Sequence, residues 1–146
     1  MEVKHIGAGC GVMVFNSEHK LLLGLRSSNI DTADCELHEE GTWTMPGGNI
    51  EYGETFEEAG IREAKEEADL DIDNLEIICV QTDKNEHAHY ISVGMIAHSL
   101  DGIPKVMEPG VIIKWEWFNL DDLPKNIFSP SKKTIDCYLN NKFYMG

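Results

Sequence analysis

Three glutamates in the middle of the chain have the types and spacing of a cation-binding cluster. Glu63, Glu66 and Glu67 are three and four residues apart, so they share one face if this segment is helical. Like charges at this spacing repel each other by about 0.2–0.5 kcal/mol per pair. A divalent cation reverses this effect, because Mg²⁺ takes oxygen ligands, keeps several waters and binds through one or two carboxylates together with substrate phosphates. The cluster therefore predicts an Mg²⁺ site, in which Mn²⁺ could substitute, that handles a phosphate-bearing substrate.

A solvated acidic face is the alternative interpretation of the same segment, since most runs of charge have that origin. Residues 48–70 contain eight acidic side chains and two basic ones. Solvation explains Glu57 and Glu58, but it leaves the three clustered glutamates without a close basic partner other than Arg62. Arg62 lies one turn from Glu58 and one turn from Glu66, and we expect it to pair with both.

A helix and the turn before it must position these side chains. Thr55 and Glu58 have the Thr-x-x-Glu spacing of a capping box, which predicts a helix beginning at Thr55. Ile61, Ala64 and Ala68 share one side of that helix and are expected to face the core. The glycine-rich turn PGGNIEYGE precedes it and can bring a backbone carbonyl and the Glu54 side chain towards the same carboxylates.

The flanking segments have the alternation of β-strands. GAGCGVMVF places Gly7, Gly9 and Gly11 on one bare face, which either admits a ligand or allows close packing of a helix. Further strands are predicted in LLLGLR, TWTMP, LEIICVQT, HYISVGMIA and VIIKWEWF, with a surface loop over residues 27–40. Ser129-Pro130 predicts the cap and first turn of a final helix that runs to about residue 140 and buries Ile135 and Leu139. Strands dominate and two helices stand apart, so the class is mixed α+β.

Composition and charge argue against several functions. A chain of 146 residues predicts one domain over residues 1–146. A net charge of −14 disfavours binding to a nucleic acid polymer or to a membrane surface. No apolar run has the length of a membrane span, and the amino terminus lacks the pattern of a signal peptide. Cys10, Cys35, Cys79 and Cys137 form no CxxC pair, which predicts reduced thiols and a cytoplasmic location.

The spacing around the cluster closely resembles the signature of the Nudix hydrolases, G-x5-E-x7-R-E-U-x-E-E-x-G-U with U apolar. The matching positions are Gly48, Glu54, Arg62, Glu63, Glu66, Glu67 and Leu70. Ala64 is a small version of the apolar residue. Asp69 stands where the pattern has glycine, which ends the helix in a left-handed conformation that Asp tolerates at modest cost.

Segments outside the signature extend the resemblance over nearly the whole chain. MPGGNIEYGETFEE and HYISVGM are similar to sequences of nucleoside-triphosphate diphosphatases that act on modified purine nucleotides. One departure concerns substrate choice. After Glu108-Pro109 such relatives carry an acidic residue and a lysine, whereas this chain has Gly110 and Val111.

The resemblance implies a fold, a reaction and a set of roles. The fold would be the α+β Nudix fold, a mixed β-sheet sandwiched between helices, in a homodimer. The reaction would be Mg²⁺-dependent hydrolysis of a nucleoside triphosphate to a monophosphate and pyrophosphate. Glu63 and Glu67 would hold the metal with help from Glu66 and the Gly48 carbonyl. The general base would be Glu66 or Glu63, with Glu54 and then Glu108 as alternatives, while Arg62 would orient a glutamate.

Substrate contacts are expected outside the acidic cluster. Arg26 could meet a phosphate, with a surface ion pair as the alternative. Trp43 could stack on a base, with core packing as the alternative. The remaining candidates are Thr44, Met45, Gly47, Ser92 and Phe128.

Two other functions stay open. A related enzyme would cleave ADP-ribose or a dinucleotide with the same acidic cluster and a larger pocket. A non-catalytic nucleotide-sensing module is less favoured, because every carboxylate of the signature is present.

Overall fold

A computed structural model describes residues 4–29 and 37–146 of the chain. The strands and helices of the described residues are β1 Gly7–Met13, β2 Leu21–Arg26, β3 Trp43–Thr44, β4 Gly47–Asn49, α1 Phe56–Ala68, β5 Asp71–Lys84, β6 His89–Asp101, β7 Ile112–Phe118 and α2 Ser129–Asn140. They form a four-stranded sheet in the order β4-β1-β6-β5 and a three-stranded sheet in the order β3-β2-β7.

The four-stranded sheet is mixed and lies between the two helices. β1 pairs parallel with β6, whereas the β1–β4 and β5–β6 pairs are antiparallel. Gly60 of α1 packs against Val12 and Met95 on one face of this sheet. Thr134 of α2 packs against Gly94 on the opposite face, because Gly94 is the neighbour of Met95 and strand side chains alternate. The predicted α+β class and the mixed sheet between helices are confirmed, and a second sheet adds to them.

Helix α1 begins and ends as the sequence predicts. Thr55 caps it through a reciprocal capping box with Glu58, and Asp69 closes it in the left-handed region with φ 56°. Ala64 and Ala68 are buried, but the prediction for Ile61 is wrong because its side chain is 37% exposed. Helix α1 contacts the sheet at Gly60 instead, because a glycine at that position lets the helix approach the sheet closely.

Helix α2 ends at Asn140 as predicted, but its first turn and its buried face differ from the prediction. Phe128 occupies the cap position, so Ser129 is the first helical residue and Pro130 follows it. Ser129 donates its hydroxyl to Glu39 Oε1 at 2.7 Å. Ile135 is buried as predicted, but Leu139 is 52% exposed, because the buried face of α2 is centred on Thr134 and Ile135, away from its last turn.

The structure tests the predictions about cysteines and membrane spans only for the residues that it describes. Cys10, Cys79 and Cys137 are buried free thiols there, while Cys35 and residues 30–36 of the predicted loop lie outside the described residues. Within the described ranges, neither helix has the length and apolar character that crossing a membrane requires.

Candidate active site

Arg62 is the hub of the acidic cluster. Its Nε and Nη2 donate to the two oxygens of Glu54 at 2.7 and 3.0 Å. Its Nη1 donates to Glu63 Oε1 at 2.7 Å and to Glu66 Oε2 at 3.2 Å, and Nη2 also donates to the Asn49 carbonyl at 3.0 Å. These contacts match the five N–H donors of a guanidinium. Arg62 therefore orients the glutamates and keeps no donor for a substrate.

The predicted pairing of Arg62 with Glu58 is wrong. Glu58 accepts a hydrogen bond from the Thr55 backbone N–H at 3.0 Å as part of the capping box. Glu58, four residues before Arg62, is therefore held by the capping box, and the Arg62 side chain turns towards Glu54 instead. The hydrogen bonds that Arg62 donates to Glu54, together with the one that it donates to Glu63, raise the pKa of the Arg62 guanidinium.

Within the cluster, Glu63 is partly buried and Glu67 is buried. Burial raises the pKa of Glu63, against the lowering effect of its hydrogen bond with Arg62. Glu67 is 8% exposed, and burial raises its pKa well above the ordinary range although its Oε1 accepts the Gly47 N–H at 2.9 Å. Each of these two carboxylates also feels the negative charges of Glu66 and Glu108. The site thus holds enclosed negative charge that a bound cation would stabilise.

The glycines of β4 make room for these side chains. A Cβ on Gly48 would lie 2.8 Å from the carboxyl carbon of Glu63, and a Cβ on Gly47 would collide with the Cys10 carbonyl. A side chain at Gly47 would meet the backbone of Cys10 and Gly11, and one at Gly48 would meet the Glu63 carboxyl, so the absence of both side chains lets β4 pass close to these groups.

A cavity of about 410 Å³ extends from the acidic cluster across the sheet. Most of the residues predicted from the sequence line it: Arg26, Thr44, Met45, Gly47, Gly48, Arg62, Glu63, Glu66, Glu67, Ser92 and Phe128. Gly9 and Gly11 also line it, so the bare face of β1 borders a ligand-sized space. Glu54 is not part of the lining, because Arg62 holds both of its oxygens.

Trp43 lies outside the cavity lining. Its ring packs edge-on against Phe118 with centroids 5.0 Å apart, and the Lys114 ammonium lies 5.5 Å from its centre. Trp43 therefore follows the core-packing alternative, because its ring packs against Phe118 of β7, the strand on the other side of β2 in the three-stranded sheet.

Arg26 is buried in the cavity wall with one unused nitrogen. It is 5% exposed, and its guanidinium stacks over the Phe128 ring at 4.3 Å. Nη1 donates to the Glu39 carbonyl at 2.7 Å and to Thr42 Oγ1 at 3.2 Å. Nη2 is buried without a hydrogen-bond partner among the described residues. A surface ion pair does not describe this side chain, and a ligand acceptor would complete its hydrogen bonds.

Sequence reasoning missed Gln81, Ser131 and Thr134, which line the end of the cavity between β5 and α2. Gln81 follows the apolar run of residues 77–80 in β5, and the other two lie on the first turns of α2. The signal for Gln81 was a polar residue inside a buried strand pattern; the positions of Ser131 and Thr134 depend on how α2 docks.

The donor set fits a divalent metal bound in part by substrate. Glu63 and Glu67 supply hard oxygen ligands, and the Gly48 carbonyl belongs to the turn that presses on Glu63. No three acidic, histidine or cysteine side chains within residues 4–29 and 37–146 converge as a closed metal cage. Mg²⁺ does not need one, because it keeps waters and shares its ligands with phosphates.

Comparison with protein families decides the membership of this chain. The model of the NUDIX domain matches residues 5–137. The chain belongs to the Nudix family. The Nudix match includes the whole acidic cluster, α1 and most of α2, so the predicted resemblance is confirmed.

Curated Nudix relatives differ in what they act on. The chain is 31% identical to an ADP-ribose pyrophosphatase of Methanocaldococcus jannaschii over 82% of its own length and 66% of the relative. It is 30% identical to the NAD-capped RNA hydrolase NudC of Photorhabdus laumondii over 71% of its length, and spans only 40% of that protein.

Solved Nudix structures share the fold. The MutT NUDIX hydrolase of Burkholderia pseudomallei superposes with a TM-score of 0.80 at 27% identity, covering 91% of this chain and 98% of that one. A MutT protein of Methanosarcina mazei superposes with a TM-score of 0.79 at 18% identity, covering 97% and 98%.

Proposed function

We propose that this protein hydrolyses a phosphoanhydride bond of a nucleoside triphosphate, giving a nucleoside monophosphate and pyrophosphate. The observation that carries the proposal is the continuity of one cavity, in which the partly buried Glu63 and the buried Glu67 adjoin a pocket with polar groups in its walls. Such a cavity supports a binding mode in which the phosphate chain would lie at the acidic end and the nucleoside at the other end.

Glu63 and Glu67, with Glu66 and the Gly48 carbonyl, are the groups that would hold Mg²⁺ or Mn²⁺. A divalent cation bound there would neutralise phosphate charge and lower the pKa of a coordinated water. Arg62 keeps Glu63 and Glu66 oriented towards the cavity through its Nη1.

Hydrolysis forms a bond between a water oxygen and phosphorus and breaks the bond from that phosphorus to the bridging oxygen. Pyrophosphate leaves with the electron pair, and a carboxylate accepts the proton of the water. Glu63 and Glu66 are the better bases, because Arg62 contacts only one oxygen of each. Glu54 is disfavoured, since Arg62 binds both of its oxygens and lowers its pKa.

Residues in the walls of the cavity would also bind the substrate. Arg26 Nη2 would donate to a phosphate or base acceptor while Phe128 holds its guanidinium in place. Thr44, Met45, Gly47 and Ser92 shape the rest of the pocket. We assign no substrate role to Trp43.

The test incubates the protein and Mg²⁺ with a panel of ribo- and deoxynucleoside triphosphates, oxidised purine nucleotides, ADP-ribose and dinucleotides. Pyrophosphate release with a monophosphate is the expected result. Glu67→Gln should lower the rate by about 10²–10³-fold, the range seen when one electrostatic group of an active site is removed. Glu57→Gln is the matched control, because Glu57 is exposed on the same helix. Full turnover by Glu67→Gln would reject the metal assignment.

Hydrolysis of ADP-ribose is the second candidate function, and the archaeal relative favours it. In the same panel it would give AMP and ribose 5-phosphate in place of pyrophosphate. Binding without turnover across the panel would instead support a nucleotide-sensing module. The homodimer, the cytoplasmic location and the absence of a nucleic acid polymer as partner stay predictions; the name of NudC shows that a relative acts on capped RNA.

A further inference from the structure

One row of residues crosses the sheet beneath the cavity. Gly9 of β1 is in register with Ser92 of β6, and Ser92 is in register with Gln81 of β5. Residues in register share one face, and all three line the cavity. Gln81 lies three strands from β4, about 14 Å from the glycines that press on the carboxylates. It therefore belongs to the end of the cavity farthest from the acidic cluster.

The Gln81 side-chain amide has a fixed orientation. Gln81 is 2% exposed, and its Nε2 donates to the Pro130 carbonyl at 2.7 Å. A carbonyl can only accept, so the nitrogen must face Pro130 and the oxygen Oε1 must face the other way. Thr134 Oγ1 donates to the same carbonyl at 3.1 Å, which completes its two acceptor sites.

Gln81 Oε1 lacks a strong donor within the described part of the chain. The group that approaches it is the Cys79 thiol at 3.7 Å. The same thiol lies 3.5 Å from Thr134 Oγ1, whose own proton goes to Pro130. A thiol has one proton and is a weak donor, so it cannot satisfy both oxygens. Among the described residues, Gln81 Oε1 is therefore a buried acceptor in the cavity wall that is paired only with a weak thiol donor.

We propose that Gln81 is a specificity-determining residue whose Oε1 accepts an N–H from the nucleobase of the substrate, beside the hydroxyl of Ser92. This inference rests on the proposed function and narrows it. The ligand class is a nucleoside phosphate whose base presents an N–H at the edge that enters the cavity. A buried acceptor left unpaired is costly, so a base without an N–H should be turned over about 10- to 100-fold less efficiently.

The test compares the best natural triphosphate of the panel with purine riboside triphosphate, whose base has no N–H. The value of kcat/KM for each is measured with the wild type, with Gln81→Met and with the control Thr82→Val, which changes the neighbouring residue on the opposite face of β5. The expected result is a preference of about 10- to 100-fold for the natural substrate in the wild type and in Thr82→Val. Gln81→Met should lose that preference by slowing the natural substrate while purine riboside triphosphate stays within about twofold.

Equal turnover of both nucleotides by the wild type would overturn the inference. An equal loss of both rates in Gln81→Met would also overturn it. Calorimetric titration of the same two nucleotides separates this inference from the proposed function. Binding that prefers the natural base, without turnover, rejects hydrolysis and keeps the assignment of Gln81. Turnover without base preference rejects the assignment and keeps hydrolysis.

Discussion

Arg62 shows at the scale of one residue why the acidic cluster can exist. Its guanidinium contacts Glu54, Glu63 and Glu66 at once, which offsets part of their mutual repulsion. The planar fork of arginine supplies five donors, whereas a lysine ammonium supplies three and cannot grip a carboxylate with two parallel bonds.

Arg62→Lys should therefore lower kcat by about 10- to 100-fold and raise the Mg²⁺ concentration needed for half-maximal activity, because misoriented ligands bind metal less well. Metal titrations of the initial rate measure both effects. Lys65→Arg is the control, since Lys65 pairs with Asp69 and Asp71 on another face of α1. A variant whose only change is in the Michaelis constant for nucleotide would mean that Arg62 binds substrate instead.

Glu67 contributes a pH dependence of stability to the metal-free protein. Burial raises its pKa above the ordinary value of 4.5, so the folded state binds the proton more tightly than the unfolded chain does. As the pH rises from the ordinary carboxylate pKa through the pKa of Glu67 in the folded state, the free energy of unfolding decreases. At higher pH the contribution of Glu67 stays constant.

Glu67→Gln should remove this loss, since a neutral amide can still accept the Gly47 N–H. With the metal chelated, the variant should unfold at a higher temperature than the wild type at about pH 7.5, and the difference should shrink as the pH falls towards the ordinary carboxylate pKa. Thermal unfolding over a pH series measures it, with Glu57→Gln as the control. A variant less stable than the wild type at neutral pH would contradict this account.

At the scale of elements, the contact between β4 and α1 sets the position of Glu63. The missing side chain of Gly48 leaves the space that the Glu63 carboxyl occupies. That carboxyl is the end of a flexible side chain, so an added methyl group would displace it at little cost to the backbone.

Gly48→Ala should accordingly lower kcat by about 10-fold or more while changing the melting temperature little. Activity assays and thermal unfolding of the same preparation test this separation. Gly11→Ala is a comparison in the neighbouring strand, where the added Cβ would meet only the end of Met45 at 3.1 Å. Equal losses of stability and activity in Gly48→Ala would indicate a general packing defect.

Local sequence predicted the ends of α1 well and its packing less well. The capping box and the left-handed Asp69 depend on neighbouring residues, so they can be inferred from the sequence alone. The exposure of Ile61 and Leu139 depends on how closely each helix approaches the sheet. That approach is set by small residues such as Gly60 and Gly94, whose contacts come from distant strands.

The whole molecule combines a net charge of −14 with a site that we propose binds a polyphosphate. The surface charge disfavours a phosphate chain approaching without cations. Bound Mg²⁺ would also relieve the enclosed negative charge of Glu63 and Glu67, so it should bind the folded state in preference to the unfolded chain.

Mg²⁺ at about 100 times its dissociation constant should therefore add about 2.7 kcal/mol to the free energy of unfolding. Thermal unfolding with chelator and with increasing MgCl₂ measures the effect, and NaCl at matched ionic strength controls for screening. The shift should be smaller in Glu67→Gln. An equal shift with NaCl would show that general screening, and not a metal site, stabilises the protein.

The sequence by itself determined the acidic helix, its N-terminal cap, most of the strands and the family, because each depends on spacing along the chain. It did not predict β4, which lies in the segment interpreted as a glycine-rich turn. Tertiary structure alone decided which residues share the cavity. It packed Trp43 against Phe118, and it buried Arg26 with a nitrogen that has no hydrogen-bond partner among residues 4–29 and 37–146. It also brought Gln81, Ser131 and Thr134 to one end of the cavity. The physical reason is that strand register and helix docking join residues up to 125 positions apart, from Gly9 to Thr134, and no local pattern encodes those distances.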